Sequence, residues 1–163
     1  MILLEAAMVK LTGYLISQQI YSGYKTVVYR GVRELDRQPV ILKMMRNEYP
    51  SLKELIQFRN QFAIAKNFQL EGVIQTYSLE HYKNRYVLVM EDFGGISLKD
   101  YVKNYFCTRM RECYSACQEE FLQIAIQIAI ALEGLYRHRI IHKDIKPANI
   151  LIHPVTKQVK QLF

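Results

Sequence analysis

No apolar run in these 163 residues reaches the about 18 that a membrane-crossing helix requires. The N-terminus, Met1-Ile2-Leu3-Leu4-Glu5-Ala6-Ala7, meets an acidic residue too early for a secretory hydrophobic region. With both signals missing, a cytoplasmic protein with no membrane partner is expected. Internal repeats and low-complexity stretches are also absent, which removes solenoid and linker-type readings. The three cysteines, Cys107, Cys113 and Cys117, crowd into one polar segment with C-x5-C-x3-C spacing and no histidine beside them. That spacing matches no zinc pattern, so reduced thiols are expected.

Half of the residues are hydrophobic and 23% are charged, an ordinary globular balance. Such a length buries one good core, enough for two small lobes. Basic residues exceed acidic ones by 7, as they do in many nucleic-acid binders. Here they are scattered, apart from Arg137-His138-Arg139 with Lys143 and Lys146, and no aromatic residues alternate with them. A solvated basic face plus a phosphate-handling site accounts for the excess, and no nucleic-acid partner is expected.

The first half reads as strands. Tyr14 to Tyr21 and Val27 to Val32 are β-branched and aromatic runs around a Ser-Gly turn. After the polar turn Glu34 to Pro39 comes Val40-Ile41-Leu42-Lys43-Met44, with Pro39 tolerated at the start of a strand. Ser51-Leu52-Lys53-Glu54 has the form of a capping box, and Leu52, Leu55, Ile56, Phe62 and Ala63 then fall at helical spacing. Two further strands are expected over Val73 to Leu79 and Tyr86 to Met90, separated by a turn from His81 to Arg85. Gly94-Gly95 then breaks the pattern. Beyond it the spacing predicts a short Ser97-capped helix through Tyr101 to Tyr105 and a polar, aperiodic segment from Cys107 to Gln118. A strongly apolar helix from Glu119 to about Arg137 follows, bearing Phe121, Leu122, Ile124, Ile128, Leu132 and Leu135, with Ile126 and Ile130 at its sides. A last hairpin is expected over Ile150 to Ile152 and Val159 to Leu162.

Between that helix and that hairpin stands His142-Lys143-Asp144-Ile145-Lys146-Pro147-Ala148-Asn149. The segment resembles the catalytic loop of protein kinases, H-R-D-x-K-x-x-N. Lysine two residues after the aspartate is the Ser/Thr form. The resemblance implies an α+β fold: a five-stranded antiparallel small lobe with one helix over residues 1–93, then the opening of a mainly helical large lobe over 94–163. It also implies ATP and Mg2+ as cofactors and a protein substrate or partner domain. Asp144 would accept the hydroxyl proton, Lys146 would contact the γ-phosphate and Asn149 would ligate magnesium. Val40-Ile41-Leu42-Lys43 looks like the family's V-A-I-K strand, which makes Lys43 the ligand for the α- and β-phosphates.

Other positions depart from the family pattern. Aligning Val28 with the valine after the glycine-rich loop puts Tyr21, Gly23 and Thr26 at the three glycine positions, so one glycine survives. Eighteen residues on from Lys43 stands Gln61, where the family usually has an ion-pairing Glu; Glu54 is assigned to the capping box instead. Lys143 replaces an arginine that pairs with activation-loop phosphate in the family, and it offers a point charge rather than a fork. Met90 would be the gatekeeper, and Glu91-Asp92-Phe93 the hinge that meets adenine. The wording around Met90 to Gly95, Tyr136 to Arg139 and the His-Lys-Asp loop looks most like the N-terminal kinase modules of large bacterial proteins that also carry ATPase, GAF and histidine-kinase domains. By the same resemblance the metal-binding aspartate falls about where Phe163 stands. The chain therefore reads as truncated before that motif, an expectation that leaves two classes: a Ser/Thr protein kinase, inactive as this chain alone, or a catalytically dead kinase-like module that binds nucleotide or a partner protein.

Overall fold

Strand-forming residues assemble an antiparallel sheet from Tyr14–Ser22 (β1), Thr26–Arg33 (β2), Pro39–Met45 (β3), Thr76–Tyr82 (β4) and Arg85–Glu91 (β5), in the order β1-β2-β3-β5-β4. The computed structural model describes residues 9–66, 69–106 and 114–162. Its chain divides into two units, Met1–Asn67 with Thr76–Asp92, and Phe68–Gln75 with Phe93–Phe163.

In the first unit, strand alternation separates two faces of the sheet. One carries the core: Val40, Leu42, Met44, Val87 and Val89, packed with Leu11 and partly buried Tyr29 and Tyr77. The other carries Val28, Ile41, Lys43, Leu88 and Met90, aligned by the registers Val28↔Lys43↔Leu88 and Ile41↔Met90. Helix α1 (Leu52–Ala65) packs against β4 and β5. Its start is the expected capping box: the Glu54 N–H donates to Ser51 Oγ at 3.3 Å and the Ser51 N–H to Glu54 Oε2 at 2.8 Å. The buried stripe differs from the expected one. Phe58 and Ala65 are buried, whereas Leu52 and Ile56 are exposed. Leu52 opens the helix, and the inward stripe runs Leu55, Phe58, Phe62, Ala65, at three- and four-residue steps. Gln61 flanks that stripe.

Two strand boundaries also shift. His81 and Tyr82 still pair, with Tyr86 and Arg85, so the β4–β5 turn contracts to Lys83-Asn84, with Lys83 left-handed at φ 53°. Strand β4 begins at Thr76 rather than Val73. Gly72 turns the chain at φ +79°, and the following residues pair instead with the second unit's own last strand.

That unit holds a small sheet of Ile96–Ser97 (β6), Ile150–Ile152 (β7) and Val159–Gln161 (β8). Strand β6 is too short to leave a periodic signal. Ser97 caps α2 (Leu98–Tyr101), accepting from the Asp100 N–H at 3.1 Å, and a wider π-helical turn, Val102–Phe106, follows. The long helix α3 spans Tyr114–Arg137, starting before the expected Glu119. Tyr101, Ile124, Ile150, Ile152 and Val159 form the core beneath it. The hydroxyl of fully buried Tyr101 donates to Glu120 and accepts from Lys157, which ties α2, α3 and the β7–β8 turn together. Burial, above all, pushes the Tyr101 phenol pKa up. Along α3, Ile124, Ala131 and Leu135 are buried, whereas Phe121, Leu122, Ile126 and Ile130 are exposed. Cys117 is a buried free thiol; Cys107 and Cys113 lie outside the described residues. Among the described residues no helix is long and apolar enough to cross a membrane.

Candidate functional site

The candidate residues fall into two groups, one in each unit. In the first, Lys43 stands mid-strand on β3, opposite Val28 of β2. Its Nζ donates to Gln61 Oε1 of α1 at 3.3 Å, a contact that follows from Gln61 flanking the helix stripe turned toward the sheet. Glu54 stays engaged in the capping box, where the Ser51 N–H, then its hydroxyl, lower its carboxyl pKa. Gly23 lies in the β1–β2 turn, its N–H donating to the Thr26 carbonyl at 2.9 Å. The Tyr21 ring packs directly on Gly23, where a Cβ would clash with it. Met90 is buried in β5, and Glu91 ends that strand half-buried. Asp92, which sequence reasoning gave no partner, is clasped by Arg30 of β2, from Nε at 2.6 Å and Nη2 at 3.4 Å. A pair 62 positions apart leaves no local signal.

In the second unit, Phe93 packs its ring against Gly95 with Lys160 Nζ 5.4 Å from the ring centre. The loop from His142 to Asn149 gathers its polar groups on one carboxylate. Lys146 Nζ donates to Asp144 Oδ1 at 2.9 Å and Oδ2 at 2.7 Å. Asn149 Nδ2 donates to Asp144 Oδ2 at 2.7 Å and to the Asp144 carbonyl at 2.9 Å. Pro147 makes this compact, because it opens the single 3-10 turn Pro147–Asn149 that folds Asn149 back over the aspartate. The Lys146 ammonium first, and the Asn149 amide second, hold the Asp144 carboxyl below the usual carboxylate range. The Asp144 N–H points at His142 Nδ1, 3.4 Å away, so Nδ1 accepts and Nε2 carries the proton that binds the Leu162 carbonyl at 2.5 Å. Lys143 adopts a left-handed φ of 64°.

A family model described as "Protein kinase domain" matches residues 14–161. The chain belongs to the protein kinase domain family. Serine/threonine-protein kinase PrkC of Bacillus subtilis is 32% identical over 119 residues, 72% of this chain and 17% of that protein. A probable serine/threonine-protein kinase of Clostridium acetobutylicum is 26% identical over 140 residues, 85% of this chain and 20% of its own length. Serine/threonine-protein kinase TIO of Arabidopsis thaliana is 28% identical over 140 residues, again 85% of this chain but 10% of that protein. The chain thus spans a fifth or less of each of these relatives.

Within the family's chemistry, magnesium would take hard oxygen donors from this loop. Asn149 spends its amide N–H groups on Asp144, which leaves Oδ1 as a hard oxygen donor. Mg2+ takes few protein oxygens and completes its shell with phosphates and water, so that donor set fits. Phe163 lies outside the described residues.

Proposed function

We infer that this chain carries the nucleotide-handling strands and catalytic loop of a protein serine/threonine kinase, transferring the γ-phosphoryl group of ATP to Ser or Thr hydroxyls of a protein. The observation that carries the reading is the cluster on Asp144. An ionised carboxylate there accepts the proton of the attacking hydroxyl as the new O–P bond forms and the bond to ADP breaks. An aspartate is ionised throughout the neutral range, and the Lys146 ammonium and Asn149 amide favour that form further. Lys146, hydrogen-bonded to that carboxylate, places a positive charge where the transferring group develops negative charge. Asn149 orients the carboxylate through its amide and offers Oδ1 to the metal. When bound, Mg2+ neutralises the phosphates and sets them in line. In the other unit, Lys43 is assigned to the α- and β-phosphates, with Tyr21, Gly23 and Val28 about the triphosphate and Met90 and Glu91 about the base; Phe93, the first residue of the Asp144 unit after residue 92, is assigned to the base as well.

The resemblance around Met90 to Gly95, Tyr136 to Arg139 and the His-Lys-Asp loop supports a setting as the kinase module of a large bacterial signalling protein with ATPase, GAF and histidine-kinase domains. A second reading, a nucleotide-binding module without transfer, is favoured by Tyr21 and Thr26 at glycine positions and Gln61 in place of glutamate. Transfer of radiolabelled phosphate from ATP to a generic Ser/Thr substrate, with calorimetry of MgATP binding, separates the two. The kinase reading expects transfer once the chain is extended through a full kinase large lobe, abolished there by Asp144→Asn, and nucleotide binding that Lys43→Met weakens. Binding without transfer in that extended protein supports the second reading. Binding that is equal in wild type and Lys43→Met refutes the assignment of Lys43.

A further inference from the structure

With one glycine left of three, the β1–β2 turn has another source of order. Arg46, one residue beyond β3, donates from Nη1 to the Gly23 carbonyl at 2.9 Å and to Ser22 Oγ at 3.2 Å. Its backbone N–H donates to the Lys25 carbonyl at 2.8 Å. Arg46 is itself held from behind. Arg85, which opens β5, donates from Nη1 to the carbonyls of Arg46 and Met45 at 2.9 and 3.2 Å, with its guanidinium 5.3 Å from the ring centre of Tyr82. Two arginines thereby brace the turn to the far hairpin of the same sheet. The peptide bonds are trans, so each N–H points opposite to the carbonyl that precedes it. Fixing the Gly23 carbonyl on Arg46 turns the Tyr24 N–H the other way. The N–H groups of Tyr24 and Lys25 have no hydrogen-bond partner among the described residues. Carbonyls taken up by protein donors and successive amides left over are what an anion-binding turn requires.

We propose that Arg46, braced by Arg85, is a positioning residue that holds the β1–β2 turn with its amides presented to the polyphosphate of a nucleoside triphosphate. The proposal rests on the kinase reading, which supplies the triphosphate. It replaces glycine flexibility with a side-chain clamp. Arg46 is exposed, so its replacement leaves the core intact.

Calorimetry with two probes, MgATP and adenosine, on the full chain tests it. Arg46→Met weakens MgATP binding about tenfold, the equivalent of one charged hydrogen bond, and leaves adenosine binding unchanged. Arg46→Lys, which keeps one charged donor, recovers part of the loss, and Arg85→Met gives a smaller loss of the same kind. An Arg46→Met protein that binds MgATP within twofold of wild type, or that loses both probes equally, overturns the clamp while the kinase reading stands. No recovery in Arg46→Lys overturns it as well. A wild-type chain that binds neither probe overturns both.

Discussion

Replacing Gln61 by glutamate converts a neutral partner of Lys43 into an anion of the same length. At the observed 3.3 Å, two unit charges attract by roughly 5 kcal/mol in an effective dielectric near 20, before desolvation. Both side chains are half-buried, so water screening and side-chain entropy remove most of that. The net gain expected is about 0.5–1 kcal/mol. Urea unfolding of wild type, Gln61→Glu, Lys43→Met and the double variant isolates it, because the cycle cancels each substitution's own effect. The midpoint should rise in Gln61→Glu with an unchanged slope, and the gain should vanish once Lys43 is methionine. A lysine held in place should also bind MgATP about two- to fivefold more tightly. A stability change of equal size in the Lys43→Met background would refute the pairing, and with it the alignment that put Gln61 at the family's acidic position.

Two further outcomes concern the second unit. Because Lys146 and Asn149 stabilise the charged form, Asp144 should stay ionised as the pH falls below the ordinary aspartate midpoint of about 3.9. Carboxyl NMR titration should show that depression, and Lys146→Met should move the midpoint upward; no movement would mean the contact does not form in solution. Gln161 is 1% exposed, with Oε1 lacking a hydrogen bond among the described residues and Nε2 only 3.5 Å from the Ile128 carbonyl. Gln161→Leu should therefore stabilise the protein by about 1 kcal/mol, read as a rise in Tm of about 2–4 °C; a fall would place an ordered water on that amide.

What the sequence made legible was local. The Ser51–Glu54 box, the Ser22-Gly23 turn and the loop from His142 to Asn149 each put their signal within a few residues, and each is formed where the spacing placed it. Boundaries failed where tertiary pairing outweighed pattern. Val73 lies in an apolar run that reads as strand, yet its partner is Gln161, 88 positions away. Leu52 and Ile56 satisfy helical spacing but lie outside the stripe that meets the sheet. Arg30, Arg46 and Arg85 were invisible as site residues, because scattered arginines look alike until the fold brings Asp92 and the Gly23 and Met45 carbonyls to them.

The excursion of residues 68–75 means that neither unit is a continuous stretch of chain. Passing from start to end, the backbone crosses from one unit to the other three times, after residues 67, 75 and 92. The visiting segment is stitched in on both sides of Gln161, whose N–H donates to the Gly72 carbonyl at 2.8 Å and whose carbonyl accepts from the Ile74 N–H at 2.9 Å. Gly72 comes close to α3: a Cβ there would lie 2.8 Å from that of Ala131, and its φ of +79° is left-handed, so glycine suits the position. A gene fusion, shuffled chimera or split-reporter cut at residue 92 would therefore carry this segment away with the wrong half. The second half would keep β8 but lose the strand-like neighbour along its edge, and donated peptide spanning 68–75 becomes the natural means of restoring it.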